Sequence, residues 1–326
     1  MIHTRITGTG SALPDKILTN FDIEKMVDTS DEWIVTRTGI RQRHIAQEGE
    51  YTSTFASMAA RNALDKAGLT PDQLDMILVA TVTPDFPFPS TACLVQSNLK
   101  AANAVALDIS AACSGFLYGL SIADKYIRTG SARKILVVGA EVLSRIVDWS
   151  DRNTCCLFGD GAGAVVVEAS ESEHGILSSH MKSDGSFWEL LYQPGCGSRN
   201  PVSPKAISER LPFISMQGNE VFKHAVRAMG EIACEALAVH DLTADDIDLF
   251  IPHQANRRII DAIAKRLGVP EKKIFNNVER YGNTSSASIP IALDEANRTG
   301  RVNTGDLILL AAFGGGLTWA STIVRW

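Results

Sequence analysis

The chain has 326 residues, 45% of them hydrophobic and 21% charged, with a formal net charge of −6. That composition supports a substantial core in two domains or two halves, and its mild acidity argues against a generic nucleic-acid binder, so any cationic docking patch must be local. The first ten residues, "MIHTRITGTG", lack the basic and apolar stretches of a signal peptide, and no apolar run nears the ~18 residues that span a bilayer, so a soluble cytosolic protein without membrane contact is expected.

Short aliphatic runs alternate with helical patterns along the chain. After a first strand, "GTGSAL" imitates a dinucleotide fingerprint but lacks the third glycine and runs into Pro14. "TSTFASMAARNALDKAG" has helical spacing and stops at glycine; "MILVATV" is a strand; "TPDFPFPSTAC" is a rigid loop rich in proline and aromatics. "GFLYGLSIADKYIRTG" is a helix opening just after Cys113, followed by the strands "KILVVGAE" and "AVVVEA". "GDGAGA" precedes a strand instead of opening a helix, so it is no phosphate loop. "DLFIP", "RRIIDAIAKRLG", "IPIALDEANRTG" and "LILLAAF" continue the alternation, which predicts a layered α/β protein with mainly parallel sheets. The six cysteines, none in C-x-x-C spacing, support neither a disulfide framework nor a structural zinc site, and no cofactor is expected.

An internal repeat organises this alternation. "ALDKAGLTPDQLDMIL" (63–78) matches "ALAVHDLTADDIDLFI" (236–251) at an offset of 173, with six identities. "RTGSARKILVVGA" (128–140) matches "RTGRVNTGDLILLAA" (298–312), starting at an offset of 170. A period this long means a duplicated half-domain, not a solenoid. The halves are placed at 1–173 and 174–326, with an irregular insertion around 184–215 that reshapes the channel mouth. At the offset of 170, Cys113 falls on Asn283. Two equivalent helices, one opening after the cysteine and one after the asparagine, should then meet across a pseudo-twofold axis. A helix N-terminus offers free N–H groups and a positive dipole end, which predicts a thiol pKa below its free value of ~8.5. Of the seven histidines, His253 alone follows directly on a strand, "DLFIP", where ligands bind in α/β sheets.

"DISAACSGF", "IPHQAN" and "YGNTSSASIP", in that order and spacing, resemble the β-ketoacyl-acyl-carrier-protein synthase III family of the thiolase-like superfamily. The similarity runs from "ITGTGSALPDK" through "TSDEWIVTRTGIRQR" and "FGDGAGAVVVE" to "LAAFGGGLTWAS". A Cys-His-Asn set distinguishes this family from thiolases (a second cysteine), elongating synthases (a second histidine) and HMG-CoA synthases (a glutamate). The resemblance implies a thiolase-like fold of two duplicated halves in an α-β-α-β-α arrangement. It also implies acylation of Cys113 by an acyl-CoA primer, followed by condensation with decarboxylating malonyl-acyl carrier protein. By the same resemblance His253 and Asn283 donate to the malonyl thioester oxygen. The Cys113 N–H and one from "FGGGL", expected at Gly316, hold the oxyanion. Trp33, Arg37, Arg152, Gly218, Asn219 and Asn256 bind the CoA and pantetheine, and Phe88 crosses a homodimer interface to close the acyl pocket. Six cationic residues against two acidic ones between 253 and 273 fit an acidic carrier protein. Docking is expected at Gln254, Ala255, Asn256, Arg257 and Arg258, with Arg258 the best single choice and Lys223 a weaker one. The alternatives are a Cys-His-Asn condensing enzyme for a specialised product, a cysteine thioester hydrolase, and a non-catalytic acyl-CoA-binding scaffold.

Overall fold

The computed structural model describes residues 2–326 and builds two sheets of matching plan. The first contains β1 (His3–Ala12), β2 (Met76–Ala80), β3 (Val105–Ile109), β4 (Lys134–Glu141) and β5 (Gly161–Ser170), in the order β1-β5-β4-β2-β3. The second contains β6 (Gly175–Ser183), β7 (Leu249–Pro252), β8 (Leu307–Gly314) and β9 (Thr318–Arg325), in the order β7-β8-β9-β6. The halves therefore correspond strand for strand, except at the edge. Where the first sheet has β3, the second has only an isolated bridge from Phe250 to Ile274.

Seven helices of two turns or more complete the fold: α1 (Asp31–Thr38), α2 (Thr52–Ala67), α3 (Thr91–Leu99), α4 (Gly115–Arg128), α5 (Gly218–Ala238), α6 (Arg257–Leu267) and α7 (Ser288–Arg298). Phe116, Leu117, Leu120 and Ala123 of α4, with Ile289, Ala292 and Leu293 of α7, share one core with strands of both sheets. These two helices thus form the central layer. On the outside, α2 and α3 cover the first sheet and α5 and α6 the second, giving five layers, α-β-α-β-α. In α2 the buried stripe Phe55, Ala56, Ala59, Ala60, Ala63 and Leu64 recurs every three or four residues, as a helix against a sheet requires. Its alanines let the helix lie directly on β1, so any side chain at Gly8 or Gly10 would collide with the carbonyls of Ala63 or Ala59. Close packing, not nucleotide binding, accounts for "GTGSAL".

Two expectations change. The sheets are mixed: β2 runs parallel to β3 and β4, and β7 to β8, but the other four pairings are antiparallel. The reason is local for β8 and β9, which are joined by only the three residues 315–317 and must therefore form a hairpin. The repeat register also differs. Both central helices are preceded by a 3-10 turn, Ala112–Ser114 and Ser285–Ala287, and each turn opens on a residue with positive φ, 46° at Ala112 and 49° at Ser285. These turns, and the strands β4 and β8, stand at the offset of 173, so the counterpart of Cys113 is Ser286, not Asn283. The offset of 170 holds only at the helix ends, because α4 has 14 residues and α7 has 11.

The segment 184–215 forms a 3-10 stretch (185–190), a two-residue ribbon in which Leu191 and Tyr192 pair with Met216 and Ser215, and a short helix, Pro204–Ser208. Among the described residues no helix is long and apolar enough to cross a membrane.

Candidate active site

Each 3-10 turn is a sharp elbow that crosses to the opposite half. Cys113 lies between the tip of β3 and the start of α4, and the elbow is held by the Ser114 hydroxyl donating to the Thr318 carbonyl at 3.0 Å. The Thr318 hydroxyl in turn donates to the Ala111 carbonyl at 2.9 Å. Gly314 presses on its backbone: a Cβ there would stand 2.6 Å from the Cys113 nitrogen. Gly315 and Gly316 line the space beside the sulfur.

The thiol is not acidified. Burial pushes the Cys113 pKa up to about 12; the Ser285 hydroxyl facing it lowers the value and the nearby Glu141 raises it again. The expectation of a depressed pKa fails for a physical reason. The thiol is buried with no cation beside it, and α4 begins two residues beyond it, at Gly115.

His253 directly continues β7, its N–H donating to the Ala311 carbonyl of β8 at 2.8 Å. The ring is buried, and burial lowers its pKa to about 3, so it is neutral. Its Nδ1 lies 2.6 Å from the Ser288 hydroxyl, whose oxygen also accepts the Gln254 N–H at 3.3 Å. With the hydroxyl donating to Nδ1, the ring proton is assigned to Nε2, the tautomer that the proposed donor role requires. Asn283 is clamped to the 157–159 segment by two backbone bonds, its N–H to the Leu157 carbonyl at 2.8 Å and its carbonyl from the Gly159 N–H at 3.0 Å. Its side-chain Oδ1 accepts the Ser285 N–H at 2.9 Å, which leaves the amide N–H₂ as the free end.

Cys113, His253 and Asn283 all line one cavity of about 410 Å³. Trp33 and Arg37 stand at its outer part, and Gly218, Asn219, Ala255, Asn256 and Arg258 line it as well. A second, mostly apolar cavity of about 300 Å³ lies beyond the sulfur, with Cys113 common to both. Val82, Leu143, Ile146, Leu191, Tyr192 and Ile214 form much of its wall. The insertion therefore shapes this inner space, and it meets the first cavity through Leu191, which lines both.

Several other expected residues stand differently. Arg37 and Arg152 both lie over the Trp33 ring, at 4.6 and 5.3 Å from its centroid. A base inserted between Trp33 and Arg152 needs about 7 Å, twice the ~3.5 Å contact distance, so Arg152 must swing outward to admit one. Gln254 is buried, its amide N–H₂ donating to the Pro252 and Phe275 carbonyls and its oxygen accepting the Asn277 N–H. It shapes the strand end and cannot dock a partner. Asn256 caps α6 through the Ile259 N–H at 3.0 Å, Arg257 pairs with Asp261 and Glu271, and Lys223 pairs with Glu220. Arg258 instead lies over Phe222 at the cavity rim. Phe88 is 86% exposed and lines neither cavity of its own chain. Sequence reasoning missed Glu141, Ser285, Ser288 and Gly314. Aligning "KILVVGAE" with "LILLAAFG" at 173 would have paired Glu141 with Gly314 and exposed the difference.

Comparison with known proteins settles the family. Two models match: 3-oxoacyl-[acyl-carrier-protein] synthase III over residues 107–185 and its C-terminal part over 237–326. The β-ketoacyl-[acyl-carrier-protein] synthase III of Caldanaerobacter subterraneus subsp. tengcongensis is 57% identical, over 100% of this chain and 98% of that relative. This chain belongs to the 3-oxoacyl-[acyl-carrier-protein] synthase III family. It is a condensing acyltransferase with the thiolase-like fold. The crystal structure of the Aquifex aeolicus member superposes with a TM-score of 0.93 at 54% identity, covering 99% of this chain and 100% of that one. The Thermus thermophilus member gives 0.92 at 46%, covering 99% of each chain.

Proposed function

We propose that this enzyme transfers an acyl group from acyl-CoA to Cys113 and condenses it with malonyl-acyl carrier protein, starting fatty acid synthesis. The observation that carries the reading is the two-cavity arrangement. A long channel leads from Trp33 and Arg37 to the sulfur, and a separate apolar space continues beyond it. A pantetheine arm fits the first and the acyl chain of the primer the second. Attack by sulfur forms the new C–S bond and places negative charge on the thioester oxygen, and the thiol proton leaves with the departing sulfur as free CoA. The Cys113 N–H and an N–H of the 314–316 segment, with Gly316 as the expected donor, receive it, each worth ~3 kcal/mol. After CoA leaves, the malonyl carboxylate departs as CO₂, and the charge moves to the malonyl thioester oxygen. His253 Nε2–H and the Asn283 amide are neutral donors for that oxygen, and the enolate then attacks the acyl-cysteine.

The hydrolase reading is disfavoured because a His253 held neutral down to about pH 3 suits donation better than activation of water. Arg258, unpaired with any acid among the described residues and stacked on Phe222 at the rim, is the best contact for an acidic carrier protein. A homodimer is supported by the edge strand β3, whose Val105 and Leu107 are 58% and 37% exposed, and by the exposed Phe88. In that dimer Phe88 closes the partner's acyl cavity. The six unpaired thiols fit a cytoplasmic setting.

The test separates the half-reactions. Acetyl-CoA should label Cys113, as read by mass spectrometry, and malonyl-acyl carrier protein should discharge it as a β-ketoacyl product. Asn283→Ala should keep labelling and lose CO₂ release. Free acetate as the sole product would overturn the reading, and elution as a monomer at micromolar concentration would remove the dimer.

A further inference from the structure

A carboxyl group that this chemistry does not use holds the second elbow. Glu141 ends β4 and is fully buried. One oxygen accepts the Thr83 hydroxyl at 2.6 Å, the Val82 N–H at 3.1 Å and the Thr81 hydroxyl at 3.2 Å. The Thr83 oxygen already takes the Val142 N–H and the Thr81 oxygen the Thr83 N–H, so both hydroxyl protons are free to point at Glu141. The other oxygen lies 3.0 Å from the Ser286 hydroxyl, whose single proton it shares with the Ala80 carbonyl at 2.8 Å. All of these partners are donors, and none is a lysine, arginine or histidine. These donors, with the Ser285 hydroxyl, favour the carboxylate form, but burial outweighs them and raises the pKa.

This carboxylate grips the turn that orients Asn283. Ser286 shares a peptide with Ser285, whose N–H holds Asn283 Oδ1 at 2.9 Å. Ser285 sits at φ 49°, a conformation a serine keeps only when its surroundings impose it. The first elbow has no such anchor, because Gly314 occupies the place equivalent to Glu141.

We propose that Glu141 is a positioning residue for Asn283: by fixing the Ser286 hydroxyl across the pseudo-twofold axis it aims the Asn283 amide, and so governs decarboxylation without serving acyl transfer. This rests on the decarboxylating role given to Asn283 above.

The experiment measures both half-reactions, single-turnover acylation of Cys113 by acetyl-CoA and CO₂ release from malonyl-acyl carrier protein by the acylated enzyme. Glu141→Gln and Ser286→Ala should each slow CO₂ release roughly tenfold or more, as expected when a reacting group is misplaced. Acylation should stay within about threefold, since removing Glu141's charge relieves a group that disfavours the thiolate. Glu141→Gln keeps an acceptor for Ser286 and should lose less than Glu141→Ala. The double variant Glu141→Gln/Ser286→Ala should be no slower than its slower parent, because both act through one contact. Unchanged CO₂ release, or parallel loss of both half-reactions with falling Tm, overturns the proposal. Asn283→Ala serves as the control: if it decarboxylates normally, the role given to Asn283 fails first. If it alone is impaired, the role of Glu141 fails by itself.

Discussion

The two elbows of the duplicated fold share a backbone and differ in what faces them. Both are 3-10 turns entered through a positive-φ residue, and both open a central helix. At the first, the residue after the strained position is Cys113, opposite Gly314 and open to two cavities. At the second it is Ser286, bound to Glu141 and Ala80 and lining neither of them. Even the first helical residues diverge, Gly115 against Ser288, and it is Ser288 that orients His253. The same turn thus presents a thiol in one half and fixes an imidazole ring and an amide in the other. Duplication supplied the geometry; the side chains facing each turn divide the labour.

The sharpest way to break this comparison is to fill the space at each elbow. A Cβ at Gly314 would stand 2.6 Å from the Cys113 nitrogen, so Gly314→Ala must displace Cys113. A displacement near 1 Å costs roughly 100-fold in rate, and acylation of Cys113 by acetyl-CoA should fall by about that factor. At the other elbow, a Cβ on Gly139 would lie 2.7 Å from the Ser286 carbonyl carbon. Gly139→Ala should therefore impair CO₂ release more than acylation. Should Gly314→Ala and Gly139→Ala both slow the two half-reactions equally, the elbows do not act separately.

The layered fold was legible because its signals are periodic. The buried stripe of α2 and the strands β2, β4 and β8, buried throughout except at Lys134, announce themselves in a one-dimensional pattern. Cys113, His253 and Asn283 were legible as well, through motifs that resemble a known family, and the structure brings them to one cavity. Pairing Cys113 with Asn283 misled, since the "RTG" helix ends align at 170 while the turns align at 173. A three-residue change in helix length is invisible until the turns are seen. Parallel strands were over-read for a similar reason: buried strands are aliphatic on both faces whichever way they run. The thiol pKa was misjudged because desolvation depends on what covers the sulfur from the other half, which no local stretch encodes. Glu141 looks like a strand-end residue until Ser286, 145 positions away, is seen against it.

A smaller effect tests the neutral histidine of the second half. His253 titrates near 3 when folded against an ordinary value of 6.5. Between those values the unfolded chain binds a proton that the folded chain refuses, so stability is full above about pH 6.5 and falls as the pH drops. From pH 7 to 5 the loss attributable to this residue is ~2 kcal/mol, from ~1.4 kcal/mol per pH unit below 6.5. His253→Gln removes the titration, so its urea-unfolding free energy should fall less than that of the wild type over this interval. Equal falls would mean that His253 titrates in the folded enzyme as it does in the unfolded chain, so that burial does not hold the ring neutral below pH 6.5.

The smallest effects lie where the halves still do the same work. Asp124 with Arg128 and Asp294 with Arg298 are mirrored pairs at the ends of α4 and α7, both carboxylates buried. Their settings are unequal. Asp294 also accepts the Thr9 and Ser11 hydroxyls, so it stays satisfied without its arginine. Asp124 has Lys125 as its other side-chain partner, and Arg128 further donates to the Ile176 carbonyl at 2.7 Å. Arg128→Met should thus cost about 1.5 kcal/mol, as a lost bond to a buried charge does. Arg298 is half exposed, and Arg298→Met should cost only about 0.5 kcal/mol after allowance for solvent screening. Urea unfolding resolves the two, and neither substitution should change the ratio of acylation to CO₂ release. A changed ratio would mean that the central helices transmit more than stability to their elbows, and the division between the halves would then reach beyond the turns.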